Sequence, residues 1–354
     1  MSLLRPLPLI AGLAVAVAAC GSGASSTSPS ISAQPSASAS SDTSAEPSQE
    51  PVVLTVGLGY IPSVQFAQFY LADQAGYYKD AGLDVTFQNK IDPDLVTLVG
   101  QGSIDLGLAD GTSVIPAVSQ GIPVKYVATI YGQFPSIVFA KASSGIAAAK
   151  DLEGKKLGIP GKYGSSWIML QALLKSAGLT PEDLQIIEYP DFGQGAAVAQ
   201  GAVDAATGFV NNEPVQLQLA GEQVNILRVD EITPLPGNGL IVGDDALGTK
   251  GDAIAAFVAA TLRAMEDIKA DPEKGLEAAI SAVPDLAASR DTQAAILDAT
   301  IDVWTGPVQE AKGLGAVEPD DWQKSLDFLT ELKMVPNPVT VEDLIDTGML
   351  PQTG

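Results

Sequence analysis

VGQGSIDLGLADG at 99–111 and VAQGAVDAATGFVN at 198–211 share a Gln-Gly-x-x-Asp core set ninety-nine residues apart. Each reads as a helix end, a glycine turn, a short apolar strand and a polar loop. Around the first copy, the strand-length runs VLTVGL (53–58), DVTFQ (84–88), IDLGLA (104–109) and KYVATI (125–130) alternate with helical segments such as 64–75. Around the second, after 136–141, the same logic returns in KKLGI (155–159), a helix over 166–177, LQIIEY (184–189), DAATGF (204–209) and NILRV (225–229). Such alternation is the pattern of an α/β chain, and with the duplicated core it predicts two similar α/β lobes. Local punctuation agrees. Gly178 can close the helix before it, while Thr180-Pro181-Glu182-Asp183 and Asp271-Pro272-Glu273 each supply a cap, a first-turn proline and an acidic residue. Beyond Gly251 the chain turns helical at 253–270, 292–304 and 319–334, segments expected to pack rather than to form a site.

The N-terminus, MSLLRPLPLIAGLAVAVAAC, has one Arg, an apolar stretch too short to span a bilayer comfortably, and small residues before Cys20, the only cysteine of the chain. It predicts a secretory signal peptide over 1–19, with Cys20 as a lipidation site. From Gly21 to Pro51 the chain is mostly Ser, Ala, Pro, Thr and Gly, which cannot bury enough apolar surface to offset its ordering entropy. A disordered tether with a reach of ~30 Å is expected, and with it a body held at the extracellular face of the cell membrane. The remaining chain is long enough for two lobes, and 46% of all residues are hydrophobic. A net charge of −23 argues against nucleic-acid binding.

GYIPSVQFAQFYLADQAGYYKDAGLDVTF (59–87), with DLEGKKLGIPGKYGSS (151–166), LLKSAGLTPEDL (173–184) and GFVNNEP (208–214), resembles a family of ABC-transporter solute-binding proteins. These are the NMT1/THI5-like and SsuA-like proteins, which include thiamine-pyrimidine, riboflavin, alkanesulfonate and nitrate binders. The resemblance implies a two-lobed type II periplasmic-binding-protein fold whose lobes close by a hinge on a ligand in the cleft between them. It also implies a membrane permease and a separate ATPase subunit as partners. Lobe 1 is then expected over 52–138 plus 240–354 and lobe 2 over 139–239, with crossovers near 136–142 and 233–240 and a monomeric body.

Open α/β sheets bind ligands beyond the carboxyl ends of their strands, so the loops that follow are site candidates. In the first, Tyr60 and Phe66 can offer ring surface, or serve as core, and Gln65 sits at a helix start; Phe69 and Tyr70 read as the buried helix face. In the second, Asp110 and Thr112 follow a strand, though Asp before a helix is also an ordinary N-cap. The third, PGKYGSSW (160–167), provides Tyr163, Ser165 and Trp167 at a helix start suited to polar or anionic groups, yet lacks the Gly-Lys-Ser/Thr ending of a nucleotide-binding loop. In the fourth, Asn211, Asn212 and Glu213 stand where the family places ligand-bonding residues; a helix cap with an acidic first turn explains the same letters.

The chain contains no histidine, and its single Cys is spoken for by the expected anchor. No catalytic base, metal-ligand spacing or cofactor is therefore expected. A thiamine-pyrimidine synthase of related fold needs a histidine where this chain has Phe66, and a cysteine cluster where it reads PLPGNGLIV (234–242), so an enzyme is disfavoured. For the ligand, Lys162 is the only basic residue in the four loops, which weighs against sulfonate or nitrate. The aromatic and amide-rich set favours a flat heteroaromatic. IPSVQFAQFYLA (61–72) resembles the riboflavin-binding branch more than the pyrimidine branch, so riboflavin is favoured and the thiamine pyrimidine comes next.

Overall fold

A computed structural model describes residues 50–90 and 94–351. The expected signal peptide, Cys20 and the tether up to residue 49 lie outside the described residues. Among those described, the strands are β1 (Val52–Gly57), β2 (Leu83–Gln88), β3 (Leu106–Ala109), β4 (Val124–Thr129), β5 (Ser136–Lys141), β6 (Lys156–Ile159), β7 (Gln185–Glu188), β8 (Ala205–Phe209), β9 (Val224–Leu227) and β10 (Gly239–Gly243). They form two five-stranded sheets, β2-β1-β3-β10-β4 and β7-β6-β8-β5-β9. In each, the first three strands of the order run parallel and the fourth is antiparallel to both its neighbours. That fourth strand is donated across the molecule: β5 follows β4 in the chain but lies in the second sheet, and β10 returns to the first.

The duplicated core explains itself here. Gly102 and Gly201 both take left-handed φ, +70° and +72°, at the end of a short helix, a conformation that glycine adopts at little cost. Asp105 then accepts a hydrogen bond from the Thr55 N–H at 2.8 Å, and Asp204 one from the Lys156 N–H at 2.9 Å. Each aspartate thus ties the residue just before the third parallel strand of its sheet to the central parallel strand, β1 in one lobe and β6 in the other. The Gln-Gly-x-x-Asp pattern is a structural staple repeated in two lobes.

Helices α1 (Ala67–Gln74), α2 (Tyr77–Asp80), α3 (Leu95–Gly100) and α4 (Gly111–Ser119) belong to the first lobe; α5 (Gly164–Ser176), α6 (Gln194–Ala199) and α7 (Glu213–Leu219) belong to the second. Gly178, φ +70°, ends α5 as expected, and the Leu179 N–H returns to the Leu174 carbonyl at 2.9 Å. Thr180 caps only a short 3-10 turn, Pro181–Asp183. The first-lobe sheet is covered on both faces, as a largely parallel sheet requires. Along β10, Leu240 and Val242 face a core shared with Phe69, Tyr78 and Phe257, whereas Ile241 faces Tyr126, Trp322 and Leu329. The C-terminal helices α8 (Asp244–Ala270), α9 (Pro272–Ala282), α10 (Arg290–Trp304), α11 (Pro307–Lys312), α12 (Pro319–Glu331) and α13 (Val341–Leu344) supply much of that covering. They also reach the other lobe: α10 packs on α7, and Phe328 and Leu332 of α12 and its end touch the second-lobe core.

One boundary differs from expectation. The stretch read as a crossover near 136–142 is β5, hydrogen-bonded between β8 and β9 and buried from Ser136 to Ala140. The run SIVFA sends Val138 and Ala140 to one core and Ile137 and Phe139 to the other, so it is an interior strand of the second sheet. The chain crosses just before it, over 130–135, and returns over 228–238.

Candidate functional site

The carboxyl ends of the parallel strands of both sheets converge on a cavity of about 390 Å³ between the lobes, within the ~300–1,000 Å³ of small-molecule sites. From the first lobe it is lined by Tyr60, Gln65, Phe66 and Asp110, and from the second by Tyr163, Ser165, Asn212 and Glu213. Thr112, Trp167 and Asn211 do not line it.

Glu213 opens α7, directly after its N-cap Asn212. Its side chain folds back so that Oε2 accepts from the Phe209 N–H at 2.9 Å and Oε1 from Gln194 Nε2 at 3.4 Å. Gly208 makes room for this: a Cβ there would sit 2.7 Å from Oε2. Burial pushes the Glu213 carboxyl up to about 7, against the lowering effect of the two backbone N–H groups that bond it. Tyr60, across the cleft, is pushed up to about 12, first by burial and then by the nearby Glu213 charge, while a bond from the Asn212 side chain pulls the other way. Its ring meets Phe192 of the second lobe edge to face, centroids 4.9 Å apart at 77°.

Asp110 is the N-cap of α4. Its carboxylate accepts from the Ser113 N–H at 3.1 Å and from the hydroxyls of Ser113 and Thr112, and burial raises its pKa despite these bonds. The capping reading explains Thr112, which serves Asp110 from a buried position. Phe66 joins both alternatives, lining the cavity and belonging to the first-lobe core, whereas Phe69 and Tyr70 are core, as expected.

Two candidates are placed elsewhere. Asn211 is fully buried, and its Nδ2 donates to Gln65 Oε1 at 3.1 Å and Thr300 Oγ1 at 2.9 Å, with the Tyr131 hydroxyl at 3.5 Å. It bolts the lobes together beside the cavity. Trp167 lies one helical step from the lining residues Ser166 and Ile168 and packs half-buried on the second-lobe core, with Lys162 Nζ 5.8 Å from its ring centroid. Trp167→Ala is therefore expected to cost ~1–3 kcal/mol of stability, less than a fully buried Trp, while leaving ligand affinity within about twofold. Thermal unfolding and calorimetry together check this.

The sequence reading missed Phe192, Gln194, Tyr131 and Asn238, all of which line the cavity. Phe192 and Gln194 follow β7, a fifth strand end to which the same carboxyl-end rule applied. Phe192 also has φ +59°, a conformation uncommon for a non-glycine residue. Tyr131 and Asn238 sit on the two crossovers. No Lys or Arg lines the cavity among the described residues, so its charged groups are the carboxylates of Asp110 and Glu213. Nor do any three His, Cys, Asp or Glu side chains among the described residues gather in a way that could hold a metal ion.

Two mixed sheets that exchange a strand, with a partly apolar cavity where their strand ends meet, define a two-lobed binding protein of the periplasmic type. The chain belongs to the NMT1/THI5 like family, whose model matches residues 63–275. It is 31% identical over 312 residues to the riboflavin-binding protein RibY of Chloroflexus aurantiacus, covering 87% of this chain and 88% of that protein. It is 28% identical over 249 residues to the 4-amino-5-hydroxymethyl-2-methylpyrimidine phosphate synthase THI13 of Saccharomyces cerevisiae, covering 66% of this chain and 72% of the synthase. Among solved structures, the alkanesulfonate-binding protein SsuA from Xanthomonas axonopodis pv. citri, bound to MOPS, shares the fold with a TM-score of 0.66 at 19% identity, covering 85% of this chain and all of that one (100%).

Proposed function

We propose that this chain is the lipid-anchored solute-binding component of an ABC importer, that it works at the outer face of the cell membrane, and that its ligand is riboflavin. The observation that carries the ligand reading is the cavity itself: ring surface from Tyr60, Phe66, Tyr163 and Phe192 around a buried Glu213, with no Lys or Arg in its wall among the described residues. A flat heteroaromatic gains from the rings, and its N–H or O–H groups gain from an acceptor already desolvated. A sulfonate or nitrate would bring negative charge beside two carboxylates. The similarity to a riboflavin-binding protein over most of both chains supports the same ligand. The thiamine pyrimidine is the second reading, favoured by the similarity to the synthases. Their chemistry is not proposed for a chain without histidine.

Calorimetry with riboflavin, hydroxymethylpyrimidine and an alkanesulfonate tests the ligand. Micromolar or tighter binding of riboflavin is expected; tight binding of the sulfonate alone would overturn the ligand reading and keep the transport role. For the anchor, wild-type protein is expected to incorporate labelled fatty acid and Cys20→Ser to incorporate none. A wild type that stays unlabelled removes the anchor from the proposal.

A further inference from the structure

Two carboxamide oxygens on residues that line the cavity have no hydrogen-bond partner, Gln194 Oε1 and Asn238 Oδ1. Gln194 opens α6 and is 1% exposed. Its Nε2 donates to the Thr207 carbonyl at 3.3 Å and to Glu213 Oε1 at 3.4 Å. The Thr207 carbonyl can only accept, so the orientation of the amide is determined and its oxygen is the end left over. Asn238 lies outside the second-lobe helices, on the crossover that leads into β10. Its backbone carbonyl accepts from the N–H groups of Ile130 at 3.0 Å and Tyr131 at 2.8 Å, which pins it to the first crossover. Buried acceptors normally find donors, because leaving one unpaired forfeits the hydrogen bond it made in water.

We propose that Gln194 and Asn238 are ligand-binding residues that take N–H or O–H donors of an uncharged ligand, one from the second lobe and the other from the crossover. Gln194 and Glu213 then form one edge of adjacent acceptors, and Asn238 is a third acceptor on the crossover. A ligand with donors at separated positions satisfies all three groups. A phosphate ester or sulfonate replaces a donor by acceptors and charge, and leaves unpaired the group that donor would have met. The site is in this way set to select an uncharged, donor-bearing molecule over its anionic derivatives. The inference rests on the proposed function for its probe, riboflavin.

The test titrates riboflavin and riboflavin 5′-phosphate into the wild type, Gln194→Met and Asn238→Leu, with thermal unfolding as the check on folding. Both replacements approximate the original shape and remove the oxygen. Each is expected to weaken riboflavin binding by about tenfold, and the wild type is expected to bind the phosphate ester at least about tenfold more weakly than riboflavin. Among the described residues Asn238 makes no bond to Glu213, so a loss at Asn238 is not relayed through that carboxylate. If one variant fails to fold, the other decides. Wild-type binding of riboflavin with affinity unchanged in the folded variants overturns the inference and leaves the riboflavin reading intact. Equal or tighter binding of the phosphate ester overturns the selection against anions. A wild type that binds neither flavin removes the riboflavin reading and this inference with it.

Discussion

Glu213→Gln is expected to weaken riboflavin binding by ~1.5–3 kcal/mol, the loss of a charge-assisted hydrogen bond, while making the ligand-free protein more stable above neutral pH. The two effects have one cause. In the unfolded chain this carboxyl titrates near 4.5, and in the folded protein burial holds its proton up to about 7. Its pKa is raised on folding, so its contribution to stability is complete below the lower value and is lost as pH climbs through the upper one, in total about 3 kcal/mol. Tyr60, the ionisable side chain facing it across the cleft, stays neutral throughout this window because its own pKa is pushed up to about 12. Glu213→Gln has no proton to lose and keeps its stability from about pH 5 to pH 8. Binding has the opposite sign: a ligand donor favours the ionised carboxylate, so wild-type affinity is expected to rise between about pH 6 and pH 8 while that of the variant stays flat. Calorimetry and thermal unfolding at both ends of the range measure the two. Equal, pH-independent affinity in wild type and variant would make Glu213 a structural carboxylate.

Asn211→Leu is expected to lower stability by ~2–4 kcal/mol and to loosen the cleft. The side chain is wholly buried, and its one amide group reaches Gln65 of the first-lobe cleft loop and Thr300 of α10, close to the Tyr131 hydroxyl on the first crossover. Leucine has nearly the same shape but no donor. Gln65 Oε1 is then left buried without its bond, and the link from the β8–α7 loop to the first lobe is gone. Thermal unfolding reads the first effect, and small-angle scattering is expected to show a larger radius of gyration for the second. A variant that melts and scatters like the wild type would mean that apolar packing alone sets the closure. Function should follow, since the bolt adjoins Gln65 and Tyr131, both in the cavity wall.

Local pattern determined a great deal about this protein. Periodicity placed the strands and helices, and Gly102 and Gly201 with Asp105 and Asp204 announced two like lobes, because a helix end and the staple after it need only residues close in sequence. The carboxyl-end rule put Tyr60, Asp110, Tyr163 and Glu213 at the cavity for the same reason. What no local pattern can carry is direction across the molecule. Asn211 and Asn212 are adjacent and chemically identical, yet one bolts the lobes and the other lines the cavity. Ser165, Ser166 and Ile168 line it while Trp167 packs away from it on the second-lobe core. Each such choice is made by the partner surface, here α10, the crossovers and the opposite lobe, whose residues lie tens to hundreds of positions away. The burial of Glu213, and with it the rise in its pKa, exists only once those surfaces have met.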